Sequence, residues 1–216
     1  MIKAVLFDMN GVIIDDEHLH EMAFRETVKP FGIDLTHQLY LECCAGKTDR
    51  DGYESIPESF SVELPIDKLL AEKNRRYAEL FPENKKSYDG VLELIESLSK
   101  NFTLALTSSS SRAEVDLITN ELDVRRFFKI TISANEVNKG KPHPEPYLTT
   151  AKLLKLKPEK CVAIEDSRSG VSSAKAAGCY CIGVTTTHEE EDLGEADLVV
   201  SSFSEIDEEV INKINK

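Results

Sequence analysis

The strongest limit on the fold of this chain is a series of short, near-continuous apolar runs that alternate with helix-like stretches. Residues 2–7, Ile-Lys-Ala-Val-Leu-Phe, form the first run, and residues 102–107, Phe-Thr-Leu-Ala-Leu-Thr, the second. Lys129 to Ser133 is a weaker third. Cys161 to Ile164 is a fourth, Tyr180 to Val184 a fifth and Asp197 to Val200 a sixth. A strand with one wet face alternates apolar and polar residues, whereas a strand covered on both faces is apolar throughout. The runs therefore predict an α/β fold with a doubly wound, mainly parallel sheet.

The intervening segments have readable ends. Tyr88-Asp89-Gly90 precedes Val91, Leu94, Ile95 and Leu98, which recur at helical spacing. Pro144 and Pro146 open a helix containing Tyr147, Ala151 and Leu154, since proline fits a first turn. The small-residue stretch from Gly170 to Ala177 ends at Gly178, as a C-terminal cap would. Residues 16–87 break the alternation and read as helical, with turns near Gly46 and Pro57. A crossover between parallel strands needs only about a dozen residues. The far longer segment here predicts an inserted helical domain. The expected organisation is a core of residues 1–15 and 88–216 and a helical cap of residues 16–87.

Composition narrows the function. Hydrophobic residues make up 41% and charged residues 30%, enough for a sizeable core in a soluble chain. The net charge of −13 disfavours nucleic acid and anionic membranes as partners, because both need clustered Lys and Arg. No apolar run is long enough to span a bilayer, and Asp8 interrupts any secretory pattern at the N-terminus. A cytoplasmic monomer is the expectation. The odd number of cysteines (Cys43, Cys44, Cys161, Cys179 and Cys181) argues for buried thiols rather than a disulfide framework. Glu189-Glu190-Glu191-Asp192 reads as a solvated loop rather than a metal site.

In doubly wound sheets, functional groups gather at the carboxyl ends of the strands. Asp8-Met9-Asn10-Gly11 follows the first run, and Ser108 to Ser111 follow the second. Lys139-Gly140-Lys141-Pro142 follows the third beyond a short loop, and Glu165-Asp166-Ser167 follows the fourth. Carboxylates, hydroxyls and lysines thus converge on one rim. Clustered carboxylates repel one another unless a cation sits between them. Hard oxygen donors beside a phosphate suggest Mg²⁺. A carboxylate can attack phosphorus to give an aspartyl-phosphate, while a hydroxyl and a lysine hold the phosphoryl oxygens.

The four motifs, in this order, resemble the haloacid dehalogenase superfamily in its β-phosphoglucomutase-like branch. The key matches are Glu165-Asp166-Ser167-x-x-Gly170-Val171 and Lys141-Pro142-x-Pro144. The resemblance spans nearly the whole chain. It implies a Rossmann-like core with an inserted helical cap and a site between them, closed by the cap to exclude water. It implies Asp8 as nucleophile and metal ligand, and the backbone carbonyl of Asn10 as a further ligand. It assigns Ser108 the motif-two hydroxyl, with Thr107 as the other register. Lys141 becomes the lysine that pairs with the nucleophile and the phosphoryl group, and Glu165 and Asp166 the acidic metal-binding pair. In the cap, His20, Gly46, Arg50, Lys73 and Asn74 match substrate-facing positions, as does Ser109 in the core. Local alternatives stand beside four of these: a helix N-cap for Ser108, a solvated surface position for Lys141, packing for His20, and a solvated helical face for Lys73, Arg75 and Arg76. The implied partner is a small phosphorylated metabolite, with sugar phosphates the leading class.

One position departs from the family. Asn10 stands where the phosphatases and mutases usually carry the Asp that acts as general acid and base. An amide cannot exchange a proton near neutral pH, and losing such help typically costs roughly a hundred- to ten-thousand-fold. Three explanations follow: an introduced Asp→Asn change, a substitute group among Asp15, Asp16, Glu17 and His20, or a phosphate-binding protein without turnover. The expected activity is Mg²⁺-dependent phosphate monoester hydrolysis. A phosphohexomutase of β-phosphoglucomutase type is the alternative.

Overall fold

The computed structural model describes residues 1–45, 48–56, 60 and 62–214. The chain divides into two compact units, Met1–Asp15 with Lys86–Lys216, and Asp16–Lys85.

The first unit is built on a six-stranded parallel sheet. Its strands are β1 (Ala4–Phe7), β2 (Thr103–Thr107), β3 (Phe128–Ile132), β4 (Cys161–Glu165), β5 (Tyr180–Val184) and β6 (Leu198–Val200). The spatial order is β3-β2-β1-β4-β5-β6. Every residue of β1 is buried, as a central strand covered on both faces must be. Ala4 lies opposite Thr103 on one side and Cys161 on the other, so β1 and its two neighbours start level. The chain walks outward from β1 to β3 and then returns to lay β4 on the other side of β1. That reversal between β1 and β4 is the topological switch point, where ligands bind in open α/β sheets.

Between the strands run α5 (Val91–Ser99), α6 (Arg112–Glu121), α7 (Glu145–Leu154) and α8 (Arg168–Ala177), with α9 (Glu208–Lys213) last. Each has a local cause. Val91, Leu94, Ile95 and Leu98 form the buried face of α5. A capping box of Ser111 and Glu114 starts α6, satisfying backbone N–H groups that a helix start leaves open. Ser167 caps α8, which ends at Gly178 in the left-handed conformation. Tyr147, Ala151 and Leu154 of α7 share a buried cluster with Val171 and Ala174 of α8 and with Ala4, Leu6, Cys161 and Ala163 of the sheet.

The second unit is helical: α1 (Glu17–Val28), α2 (His37–Cys43), α3 (Asp49–Glu54) and α4 (Ile66–Asn84). Its own core is formed by Phe24, Val28, Leu35, Tyr40, Tyr53 and Leu69. Thr36 and Thr48 cap α2 and α3 through their side-chain oxygens. The expected turns at Gly46 and Pro57 lie outside the described residues. The segment's two ends are stapled in the first unit. Asp15 N donates to Lys86 O at 2.8 Å, Lys86 Nζ lies 2.6 Å from Asp15 Oδ2, and Ile14 bridges Ser87 in antiparallel fashion. No helix among the described residues is long and apolar enough to cross a membrane.

Candidate active site

The residues that follow β1, β2 and β4 come together on one rim of the sheet unit. Asp8 continues β1 by one residue, and its N–H donates to Ile164 O at 3.0 Å, tying it to β4. Glu165 ends β4 and Asp166 follows it. One oxygen each from Asp8, Glu165 and Asp166 lies within 4.8 Å of the others, the only such cluster of potential metal ligands among the described residues. All three residues are buried.

Lys141 faces this cluster from the segment between β3 and α7. Its side chain is 4% exposed, with Nζ 2.8 Å from Asp8 Oδ1 and 2.6 Å from Glu165 Oε1. That rules out the solvated reading of a surface lysine. Glu145, in the first turn of α7, holds the segment by accepting the N–H groups of Asn138 and Lys139 at 2.8 and 3.2 Å. Glu165 Oε1 also accepts from Tyr147 Oη at 2.6 Å, and Oε2 from Ser167 Oγ at 3.3 Å. Three donors converge on one fully buried carboxylate, which meets the requirement that a buried charge be paired and hydrogen-bonded.

Two glycines make room for the carboxylates. A Cβ on Gly11, whose φ is +75°, would lie 2.0 Å from Asp166 Oδ2, and one on Gly170 would lie 1.9 Å from Glu165 Oε2. No side chain fits at such distances, so the Gly in each motif is there to let backbone approach an acid closely.

The electrostatics follow from the count of charges. One ammonium cannot neutralise three carboxylates. Burial, followed by the charge of Glu165, pushes the Asp8 carboxyl up to about 8 despite the opposing pull of Lys141. Burial and Glu165 push Asp166 up to about 7, against its bond from Thr187. Burial would lower Lys141, but Asp8 and Glu165 outweigh it and hold the ammonium above its ordinary value. A cluster short of positive charge, lined only with hard oxygen donors, fits a divalent cation of the Mg²⁺ type.

The β2 loop closes the rim from the other side. Ser108 is buried, its N–H donates to Ile132 O at 2.9 Å, and its Oγ accepts from Ser110 N at 3.0 Å. Ser110 Oγ donates to Asn10 Oδ1 at 2.8 Å. The N-cap reading of Ser108 is corrected: Ser111 performs that role. Thr107 lies in β2 with Oγ1 2.8 Å from Thr150 Oγ1, committed to the interior. Ser109 is exposed in the same loop.

The residues singled out in the inserted segment lie in the helical unit. Lys73 is fully buried, so the solvated-face alternative fails for it. Its Nζ lies 2.8 Å from Asp49 Oδ2 and 2.7 Å from His20 Nδ1, over the rings of Phe24 and Tyr77. His20 stacks on Tyr77 at 4.6 Å and approaches Asp16 Oδ2 at 3.4 Å. Arg75 pairs with Glu72 and Glu79, and Arg76 with Glu26, Glu72 and Glu79, on a solvated face. Arg50 is exposed and paired with Asp67, and Asn74 is exposed. Gly46 lies outside the described residues. The suggested proton-transfer substitutes hold structural contacts: Asp15 with Lys86, Asp16 with Tyr77 Oη and His20, and Glu17 with Tyr40 Oη at 2.7 Å.

Sequence reasoning missed Tyr147, read only as part of the helix that Pro144 and Pro146 open, and the threonines after β5. Thr186 Oγ1 donates to Gly11 O, and Thr187 Oγ1 donates to Asp166 Oδ2. Neither has a periodic or charge signal. Only their place after a strand that borders β4 marks them.

A parallel sheet whose strand order reverses between β1 and β4, with Asp8 just after the one, Glu165 and Asp166 at the end of the other and a buried lysine across, defines a class of hydrolase. The haloacid dehalogenase-like hydrolase family matches residues 5–184, and the chain belongs to that family, in its β-phosphoglucomutase-like branch. It is an enzyme of the hydrolase class. Among its relatives, a phosphorylated carbohydrates phosphatase of Thermotoga maritima is 35% identical over 82% of each chain. A beta-phosphoglucomutase of Bacillus subtilis is 31% identical over 98% of this chain and 95% of its own length. CbbY of Rhodobacter sphaeroides has been solved with phosphate and, as an Asp-to-Asn mutant, with xylulose-(1,5)bisphosphate. Both structures superpose with a TM-score of 0.82 at 29% identity, covering 95% of this chain and 96% of that one.

Proposed function

We propose that this chain hydrolyses a phosphate monoester of a small phosphorylated metabolite, a sugar phosphate in particular, with Mg²⁺ and through a phosphorylated Asp8. The observation that carries the reading is the buried Lys141 bridging Asp8 and Glu165 at the switch point, with Asp166 alongside. Phosphatase and phosphoglucomutase names among the relatives support it. The five cysteines, all buried and free, suit a reducing cytoplasm.

Asp8, Asp166 and the backbone carbonyl of Asn10 would hold the cation, with Glu165 completing the acidic cluster and fixing Lys141. When bound, Mg²⁺ supplies the positive charge that keeps Asp8 ionised and offsets charge on the phosphoryl oxygens. The free oxygen of Asp8 attacks phosphorus, forming the Asp8–phosphate bond as the bond to the ester oxygen breaks. Lys141 Nζ and Ser108 Oγ hold the phosphoryl oxygens in line. The ester oxygen leaves as the alcohol, taking its proton from water, and a second water then cleaves the acyl phosphate, releasing inorganic phosphate and restoring Asp8. Asn10 can hydrogen-bond the leaving oxygen but cannot give it a proton, so turnover is slow relative to an Asp at that position.

A second reading is a phosphohexomutase, in which a sugar hydroxyl replaces water. It is favoured by the near full-length match to the Bacillus subtilis mutase. The test is a screen of sugar phosphates with Mg²⁺ and with EDTA, following free phosphate and isomer separately, beside Asp8→Ala. We expect Mg²⁺-dependent phosphate release that Asp8→Ala abolishes. Full activity in Asp8→Ala would remove Asp8 as the nucleophile. Isomer without free phosphate would select the mutase, and ligand binding without either product a protein that holds but does not turn over its ligand.

A further inference from the structure

The loop after β5 reaches the site from a side that the four motifs do not occupy. Its backbone is anchored to the sheet, with Thr185 N donating to Val200 O at 3.0 Å and Thr186 N to Val184 O at 2.9 Å. From this anchored position Thr186 Oγ1 bonds the carbonyl of Gly11, in the β1 loop, and Thr187 Oγ1 bonds Asp166 Oδ2, at the end of β4. Two neighbouring side chains thus grip both sides of the switch point.

The grip on Asp166 is restrictive. Oδ2 is wedged between the Thr187 hydroxyl and the bare Cα of Gly11, where a Cβ would lie 2.0 Å away. Thr187 Oγ1 also lies 2.8 Å from His188 Nδ1. A threonine hydroxyl has one proton. The carboxylate takes it, so the second bond requires an N–H on His188 Nδ1. With Oδ2 fixed, rotation of the carboxylate is stopped and its other oxygen is presented in a set direction.

We infer that Thr187 is a positioning residue for Asp166 in the cation site, and that Thr186 acts alongside it by fixing the Asn10–Gly11 turn. This rests on the reading of Asp166 and the Asn10 carbonyl as cation ligands. Partners that orient a metal ligand from behind typically contribute ten- to a hundred-fold in metal affinity or activity. Thr187 is open to water, which can replace part of its bond, so the effect belongs near the lower end. The same exposure means that losing the hydroxyl digs no cavity.

The test is Mg²⁺ affinity by calorimetry for the wild type, Thr187→Val, which keeps the shape, and Thr187→Ser, which keeps the hydroxyl. The Mg²⁺ dependence of kcat and the KM for a sugar phosphate are measured beside it. Thr187→Val should weaken Mg²⁺ binding about tenfold and raise the Mg²⁺ needed for half-maximal kcat equally. KM at saturating Mg²⁺ should stay put, and Thr187→Ser should recover most of the affinity. Thr187→Ala beside Thr187→Ser provides a second pair, with Ser the tighter binder. Wild-type affinity in both Thr187→Val and Thr187→Ala would overturn the inference alone. Absence of Mg²⁺ binding by the wild type would overturn both the inference and the cation reading beneath it.

Discussion

Replacing Lys141 by methionine tests how far its ammonium offsets the charge of the acidic cluster. Methionine has nearly the same length, so little volume is lost, but the ammonium 2.8 Å from Asp8 and 2.6 Å from Glu165 is gone. Breaking a buried ion pair by removing one partner costs about 3–5 kcal/mol while the remaining charge persists. Here the remaining charges can escape by taking protons. Asp8 is already pushed up to about 8 with Lys141 present, and its loss pushes the carboxyl higher. An acid whose pKa is higher in the folded than in the unfolded chain destabilises the fold as pH rises between the two values. Wild type and variant differ in bound protons only where Asp166 and Asp8 ionise in the wild type, near pH 7 to 8, so the deficit is level at lower pH and grows there. We expect urea unfolding without divalent cations to show a loss of about 3–5 kcal/mol at pH 8 and about 1–2 kcal/mol less at pH 5, with an unchanged denaturant slope. An equal loss at both pH values, or one under about 1 kcal/mol at pH 8, would refute the charge-balance account.

Other expectations follow from the same geometry. Asn10→Asp keeps the acceptor that Ser110 bonds and restores a group able to carry a proton, so kcat on the best sugar phosphate should rise by about a hundredfold or more; an unchanged kcat would mean that another group already does this work. Gly170→Ala sets two effects against each other, a helix-propensity gain of about 1 kcal/mol and a collision with the Glu165 carboxylate. The collision should win, giving a net loss of about 1–3 kcal/mol in thermal or urea unfolding. In the cation-free wild type, Asp8 and Asp166 titrate near 8 and 7, against an ordinary 3.8. Stability from this pair is therefore lost as pH rises from about 4 to 8, and Mg²⁺ should raise the melting temperature most at the upper end. Binding at pH 7 should also release protons, seen as a buffer-dependent heat in calorimetry.

The sheet was legible because a parallel strand covered on both faces leaves no polar alternation to confuse it. Even the weak third run sits one residue from its observed place at Phe128–Ile132. The rim residues were legible for a related reason: Asp8, Ser108, Glu165 and Asp166 lie at or directly after a strand end and Lys141 in the segment that follows β3, so topology gathers them without knowledge of side-chain direction. What stayed hidden depends on direction. Tyr147 reads as one more apolar position of α7, yet its hydroxyl points at Glu165. Lys73 falls among the charges of α4, and only the three-dimensional placement of Asp49 and His20 explains its burial. Thr187 has only its place after β5 to mark it, because a single hydroxyl has neither period nor net charge.

The staple joining Asp15 to Lys86 has a consequence for how such proteins diversify. Because the sheet unit itself brings these two positions together, whatever is threaded between them starts and finishes at one doorway. Chain entropy hardly objects to the length of the detour: extending a dozen-residue connection to seventy costs only about 1.6 kcal/mol. Long or short, folded in one way or another, an insert can be exchanged at this doorway without disturbing β1, its neighbours or the acids beyond them. The insert and the chemistry beside β1 are then separate inheritances, free to change at different rates within one polypeptide.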